Sequence, residues 1–234
     1  MTLTPTKTPL VVKKLFPNYI WDIPTNEKVI YLTFDDGPTP EITNWTLDIL
    51  KQYNAKATFF CIGNNIEKYP SIFQDTINEG HTIGNHTQNH IKGWKSKSKE
   101  YLKNIAEAEA IIKSQIPSPL AIGTKSQKPE TLNRSSPSVN LFRPPYGQIT
   151  PKQGRKLIEL GYKIIMWDVL SFDWENDVTK ETCLDNVKKD ATNGSIIVFH
   201  DSVKASKNMQ YALPKVLEYF SKKGYSFKSL NSIS

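Results

Sequence analysis

His86 and His90 stand four residues apart in Asn85-His86-Thr87-Gln88-Asn89-His90, and they are two of only four histidines in the chain. On a helical turn that spacing sets both imidazoles on one face, about 5–6 Å apart at Cβ. Such a pair suits two ligands of one divalent metal. Taken alone, it is more often a pair of solvated surface residues. A second group upstream changes the balance: Thr33-Phe34-Asp35-Asp36-Gly37-Pro38 sets two adjacent carboxylates directly after an apolar run. Two histidines and one carboxylate make an open three-ligand site with room for a water. The mixed N and O set suits zinc and also accepts cobalt or nickel. Neighbouring aspartates point in different directions, so one can bind metal while the other acts as a base. Their own sequence leaves open which does which.

Three further groups carry both a plain and a chemical reading. Arg143-Pro144-Pro145-Tyr146-Gly147 is a stiff turn, or an arginine partner for a catalytic carboxylate with a backbone N–H near Tyr146 turned into a site. Asp173-Trp174 is an exposed acid beside a packing indole, or an imidazole-orienting carboxylate and an aromatic wall for a sugar. His200-Asp201 ends an apolar run, and a histidine there can donate a proton near neutral pH.

Strand and helix signals alternate around these groups. Short apolar runs predict strands at 29–34, 57–60, 81–84, 141–143, 162–167, 195–199 and 225–228. Helical periodicity predicts helices at 41–53, 69–79, 98–115, 151–160, 180–190 and 209–222, with Gly80 and Gly161 as C-terminal stops. Strand followed by helix, repeated about seven times, predicts an α/β fold: a single-domain distorted (β/α) barrel with about seven parallel strands. Each chemical group follows a strand, and in such a barrel the strand ends converge on one face. His81 starts a strand and so falls at the opposite end. Residues 1–28 read as an extension packed on the barrel and 29–234 as the catalytic domain. Residues 116–140, with four prolines, read as a long loop insertion near the rim of the cleft.

Bulk properties narrow the classes. A chain of 234 residues fits one domain. It has no run of about 18 apolar residues, so no membrane span is expected. The first residues lack the basic and apolar regions of a signal peptide, which leaves the compartment open. The net charge of +7 comes from scattered lysines with no nucleic-acid-binding motif, so a solvated basic surface is expected rather than a nucleic-acid partner. Cys61 and Cys183 read as free, buried thiols.

In their order, these groups resemble the five motifs of the NodB-type polysaccharide deacetylases, carbohydrate esterase family 4. The matching stretches are Thr33-Phe34-Asp35-Asp36-Gly37, His86-Thr87-Gln88-Asn89-His90, Arg143-Pro144-Pro145-Tyr146, Asp173-Trp174 and Ile197-Val198-Phe199-His200. The resemblance implies Asp35 as base and Asp36, His86 and His90 as ligands of one divalent metal, zinc first. It implies that Arg143 holds Asp35, that the Tyr146 N–H binds the oxyanion, and that Asp173 tunes His200, the acid. Trp174 would line the pocket. Ile197 and Phe199, at positions where leucines are common, would shape the acetyl pocket. The implied activity is removal of N-acetyl groups from a β-linked N-acetylglucosamine glycan, peptidoglycan or chitooligosaccharide, by a monomer. Two rivals remain. A related hydrolase of another ester or amide, such as acetylxylan or a small cyclic amide, would keep the same catalytic set. An inactive carbohydrate-binding protein would lack a ligand or an acid, and none is missing.

Overall fold

The apolar run Val29–Asp35 forms strand β1, and its burial shows why the run is continuous rather than alternating. Leu32 and Phe34 are fully buried on one side, and Thr33 and Asp35 on the other. That is the pattern of a parallel strand covered on both faces. A computed structural model describes residues 5–116 and 140–232. Around β1 stand β2 (Thr58–Cys61), β3 (Thr82–Asn85), β4 (Leu141–Phe142), β5 (Lys163–Ile164), β6 (Val169–Leu170) and β7 (Ile196–His200). Their order is β5-β4-β3-β2-β1-β7-β6, all parallel, and β8 (Ser226–Phe227) adds to the start of β1. The distorted (β/α) barrel is therefore present, with eight described strands. The expected insertion at 116–140 falls almost wholly on residues that lie outside those described.

Helices α2 (Ile42–Gln52), α3 (Gly63–Lys68), α4 (Pro70–Asn78), α5 (Ser98–Gln115), α6 (Pro151–Glu159), α7 (Lys180–Asp190) and α8 (Ser206–Lys222) connect the strands, after a short α1 (Leu10–Leu15). The largest core lies on the outer face of the sheet, where Leu32, Phe34, Phe59 and Phe199 meet Leu213, Val216 and Leu217 of α8. Cys61 and Cys183 are free and buried in that layer. A smaller cluster fills the barrel interior, with Phe60, Leu141, Ile165 and Ile196. Local signals set several helix ends. Thr150 and Gln153 form a reciprocal capping box at α6, and Gly80 and Gly161 take φ of 78° and 85° beyond α4 and α6.

The expected strand at 162–167 is corrected: β5 stops at Ile164 and the chain resumes as β6. The carbonyls of Ile165 and Met166 turn to the buried Arg143 guanidinium, at 3.2 and 2.8 Å. This break leaves a seam between β5 and β6, and the N-terminal segment fills it. Ile20 bridges Ile165, Lys7 bridges Val169 and Asp22 bridges Ser195. The seam is clasped by Asp168, which accepts from Lys13 at 2.6 Å, Lys7 at 3.2 Å and Ser195 at 2.5 Å.

Candidate active site

Six chemical groups meet where the strands end. Asp35 closes β1 and His200 closes β7, as register partners. His86 follows β3, Arg143 follows β4, Tyr146 sits in the turn Pro145–Gly147, and Asp173 follows β6. Side chains of Asp35, Asp36, His86, His90, Tyr146 and His200 line one cleft of about 630 Å³.

Donor atoms of Asp36, His86 and His90 all lie within 4.8 Å of one another. Asp36 Oδ1 stands 3.7 Å from His86 Nε2 and 3.2 Å from His90 Nε2. That oxygen is buried and has no hydrogen-bond partner, a costly state for a carboxylate that a cation would relieve. His86 Nδ1 donates to the Arg143 carbonyl at 2.8 Å, which leaves Nε2 to offer its lone pair. Burial pulls the His86 pKa down to about 4, and His90 is lowered mainly by burial as well, so both rings are neutral at pH 7. The donor set therefore fits a divalent metal.

The helical turn expected for these histidines is absent. Residues 86–90 form a loop in which Thr87 and His90 have φ of 68° and 55°. The rings still come within 5.1 Å, centroid to centroid. Side-chain amides replace helical hydrogen bonds. Asn85 Oδ1 accepts the Thr87 N–H at 2.8 Å, and Asn104 Oδ1 accepts those of Gln88 and Asn89 at 3.1 Å.

Arg143 is wholly buried beneath Asp35. Its Nη1 donates to Asp35 Oδ1 and to Thr33 Oγ1, each at 2.7 Å, and its guanidinium lies over the Phe60 ring. Burial alone would push the Asp35 carboxyl up, but Arg143, with His86 and His200 nearby, holds it below the usual carboxylate range. Opposite stands His200, whose Nδ1 meets Asp173 Oδ1 at 2.9 Å while its backbone N–H donates to Asp173 Oδ2 at 2.7 Å. Burial lowers the His200 pKa, yet the Asp173 charge and hydrogen bond overcome this and raise it to about 9. At pH 7 one cleft thus holds an ionised carboxylate and an imidazolium, a pairing that can take a proton at one end and give one at the other. His81 lies elsewhere, buried, with Nδ1 accepting the Ala57 N–H at 3.1 Å.

A profile of the polysaccharide deacetylase family matches residues 22–121. A peptidoglycan-N-acetylglucosamine deacetylase of Bacillus cereus is 33% identical over 228 residues, which cover 96% of this chain and 97% of that protein. The chain belongs to the polysaccharide deacetylase family. A solved peptidoglycan N-acetylglucosamine deacetylase, in complex with 4-naphthalen-1-yl-N-oxidanyl-benzamide, superposes with a TM-score of 0.79 at 34% identity over 96% of both chains. The peptidoglycan-N-acetylmuramic acid deacetylase PdaC of Bacillus subtilis is 32% identical over 89% of this chain, which spans 39% of that longer protein.

Within this polysaccharide deacetylase fold, Ile197 and Phe199 are not in the cleft, and their expected role in the acetyl pocket is corrected. Both are fully buried in the outer core, where Phe199 stacks on Phe34. Side chains alternate along a strand, so with His200 in the cleft it is Val198 that shares its face. Val198, Leu170, Trp167 and Trp174 form the apolar wall, and Trp174 also packs edge-on against His200 at 4.6 Å. The two-residue period was there to be read from His200. Leu170 gave no such signal, because β6 itself was not visible. Tyr146, at φ 60° and 56% exposed, packs its ring against His90 at 4.6 Å and a tilt of 45°, with Lys92 over the ring.

Proposed function

We propose that the chain is a metal-dependent hydrolase that removes N-acetyl groups from N-acetylglucosamine units of a β-linked glycan, with peptidoglycan as the polymer. One observation carries this reading. A three-donor cluster, an arginine-held carboxylate and a carboxylate-held imidazolium face the same cleft. The relatives' peptidoglycan substrates support the choice of polymer.

Asp36, His86 and His90 would hold one divalent metal, with zinc suited to the set and cobalt or nickel able to replace it. When bound, the metal supplies Lewis acidity toward the acetyl carbonyl and a water. Asp35, kept ionised by Arg143, takes a proton from the attacking water. His200, oriented by Asp173, gives its proton to the leaving nitrogen, because an amide anion is far too basic to depart unaided. The Tyr146 N–H donates to the carbonyl oxygen as charge builds there. The C–N bond breaks, and acetate and a free amino sugar result. Leu170, Val198 and Trp174 exclude water around the acetyl methyl. Peptidoglycan as substrate requires that the protein work outside the membrane. Among the described residues, no helix is long and apolar enough to cross one.

Acetate release from peptidoglycan, chitooligosaccharides and acetylxylan, each with and without chelator, tests the reading. The expected result is chelator-sensitive release from peptidoglycan. Release from acetylxylan alone would replace the substrate, and release insensitive to strong chelation would remove the metal.

A further inference from the structure

Asp201 is a fully buried carboxylate that no proposed step uses, and it does not line the cleft. It follows His200 directly, and its side chain enters the turn after β1. Asp201 Oδ1 accepts the Gly37 N–H at 3.0 Å, and Oδ2 accepts the Thr43 hydroxyl at 2.6 Å. The Thr43 oxygen accepts in turn the Thr39 N–H at 2.7 Å. The backbone N–H of Asp201 donates to the Asp35 carbonyl at 3.1 Å. One residue thus grips the turn on both sides of Asp36.

Asp36 needs such a grip. Its φ is 81°, in the left-handed region that a residue with a Cβ keeps only when its surroundings impose it. Asn65 Nδ2 donates to its carbonyl at 2.7 Å, and the Ile62 N–H donates to the Gly37 carbonyl at 3.0 Å. These bonds fix the carbonyls, and among the described residues it is Asp201 that takes the Gly37 N–H. The fit is close, for a Cβ added at Gly37 would overlap the Asp201 carboxylate.

We propose that Asp201 is a positioning residue for Asp36: it holds the turn in the one conformation that brings the Asp36 carboxylate to His86 and His90, and couples that carboxylate to the strand end carrying His200. The proposal rests on the reading of Asp36, His86 and His90 as metal donors. It differs from a role in folding alone, because the state of the turn should be visible in the metal's own coordination.

Cobalt(II) titration of the metal-free protein tests it, read by calorimetry and by the visible absorption of the bound ion, for wild type, Asp201→Ala and Asp201→Asn. Asparagine keeps the acceptor for the Gly37 N–H and offers the Thr43 oxygen an amide N–H in place of the lost acceptor, whereas alanine leaves the Gly37 N–H without a partner and the Thr43 hydroxyl without its acceptor. Asp201→Ala should bind cobalt about 10-fold to 100-fold more weakly, the usual cost of losing an outer support of a ligand, and its absorption band should shift. Asp201→Asn should recover most of the affinity and the wild-type band. A folded Asp201→Ala protein with wild-type affinity and spectrum would overturn the proposal. If that variant does not fold, Thr43→Val is read in the same way: a smaller loss supports positioning, and an unchanged affinity and band refute it. Absence of cobalt binding by wild type would remove the metal site itself, and the proposal with it.

Discussion

Asp35 and Asp36 are neighbours with different partners, and the difference divides their expected roles. Asp35 is fixed by Arg143 at 2.7 Å, whereas Asp36 Oδ1 faces two imidazole nitrogens and no donor. Asp35→Asn should therefore keep metal affinity and lose about 100-fold or more in rate, as expected for loss of a positioned base. Asp36→Asn should weaken metal binding instead, and calorimetric titration beside acetate assays separates the two. His200 gives the pH dependence. Its folded pKa is raised to about 9, so the acid form is present at neutral pH and is lost as pH rises through about 9. Asp35 is lowered, so the base form is lost only in acid. Deacetylation should thus fall on the alkaline side near pH 9. In His200→Ala that limb should vanish, with a large loss on the amide and a small one on phenyl acetate, whose leaving group needs no acid; equal losses on both would reject the proton-donor role. The identities of these residues were legible because ligand and acid types are few and their spacing is distinctive. Their conformations were not, because the loop that carries the left-handed Thr87 and His90 is bonded between them, at Gln88 and Asn89, to Asn104, a residue of another element.

At the scale of elements, strands covered on both faces announce themselves as unbroken apolar runs, which is why Val29–Asp35 and Ile196–His200 were found within a residue. The two-residue strand β5 fills only part of the apolar run at 162–167, β6 has no run of its own, and what parts them is a distant guanidinium rather than a local breaker. The seam they leave depends on Asp168. Burial would push its carboxyl up, but bonds from Lys13 and Ser195, with the charges of Lys13 and Lys7, hold it below the usual value. Asp168→Ala would take from Lys13 one of its two carboxylate partners, Asp22 being the other, and leave the buried Ser195 hydroxyl without its acceptor, and a buried polar group left unpaired in this way costs about 1–3 kcal/mol. Urea unfolding measures that loss, and a change within error would show the clasp to be dispensable. The sign in acid follows from the depressed pKa. The contribution is whole above the unfolded value of about 3.9 and is lost as pH falls through the lower folded value. Wild type and Asp168→Ala should therefore converge in stability at low pH.

At the scale of the molecule, a metal that binds only the folded chain stabilises it by mass action, by about 2.7 kcal/mol at one hundred times Kd. Chelation should then lower Tm as well as abolish acetate release, and His90→Ala should blunt the response of Tm to added zinc. A Tm indifferent to zinc in wild type would speak against the site. The seam has a different consequence, in time rather than energy. Lys7 meets Asp168 across 161 residues of sequence, and β1 gains its β7 neighbour only when Ile196–His200 exists. During synthesis the early segments leave the ribosome long before the strands that receive them, so no partial chain can close the barrel. Nascent chains arrested before residue 195 should be digested rapidly by added protease, and resistance should arise in one late step once the eighth strand has emerged.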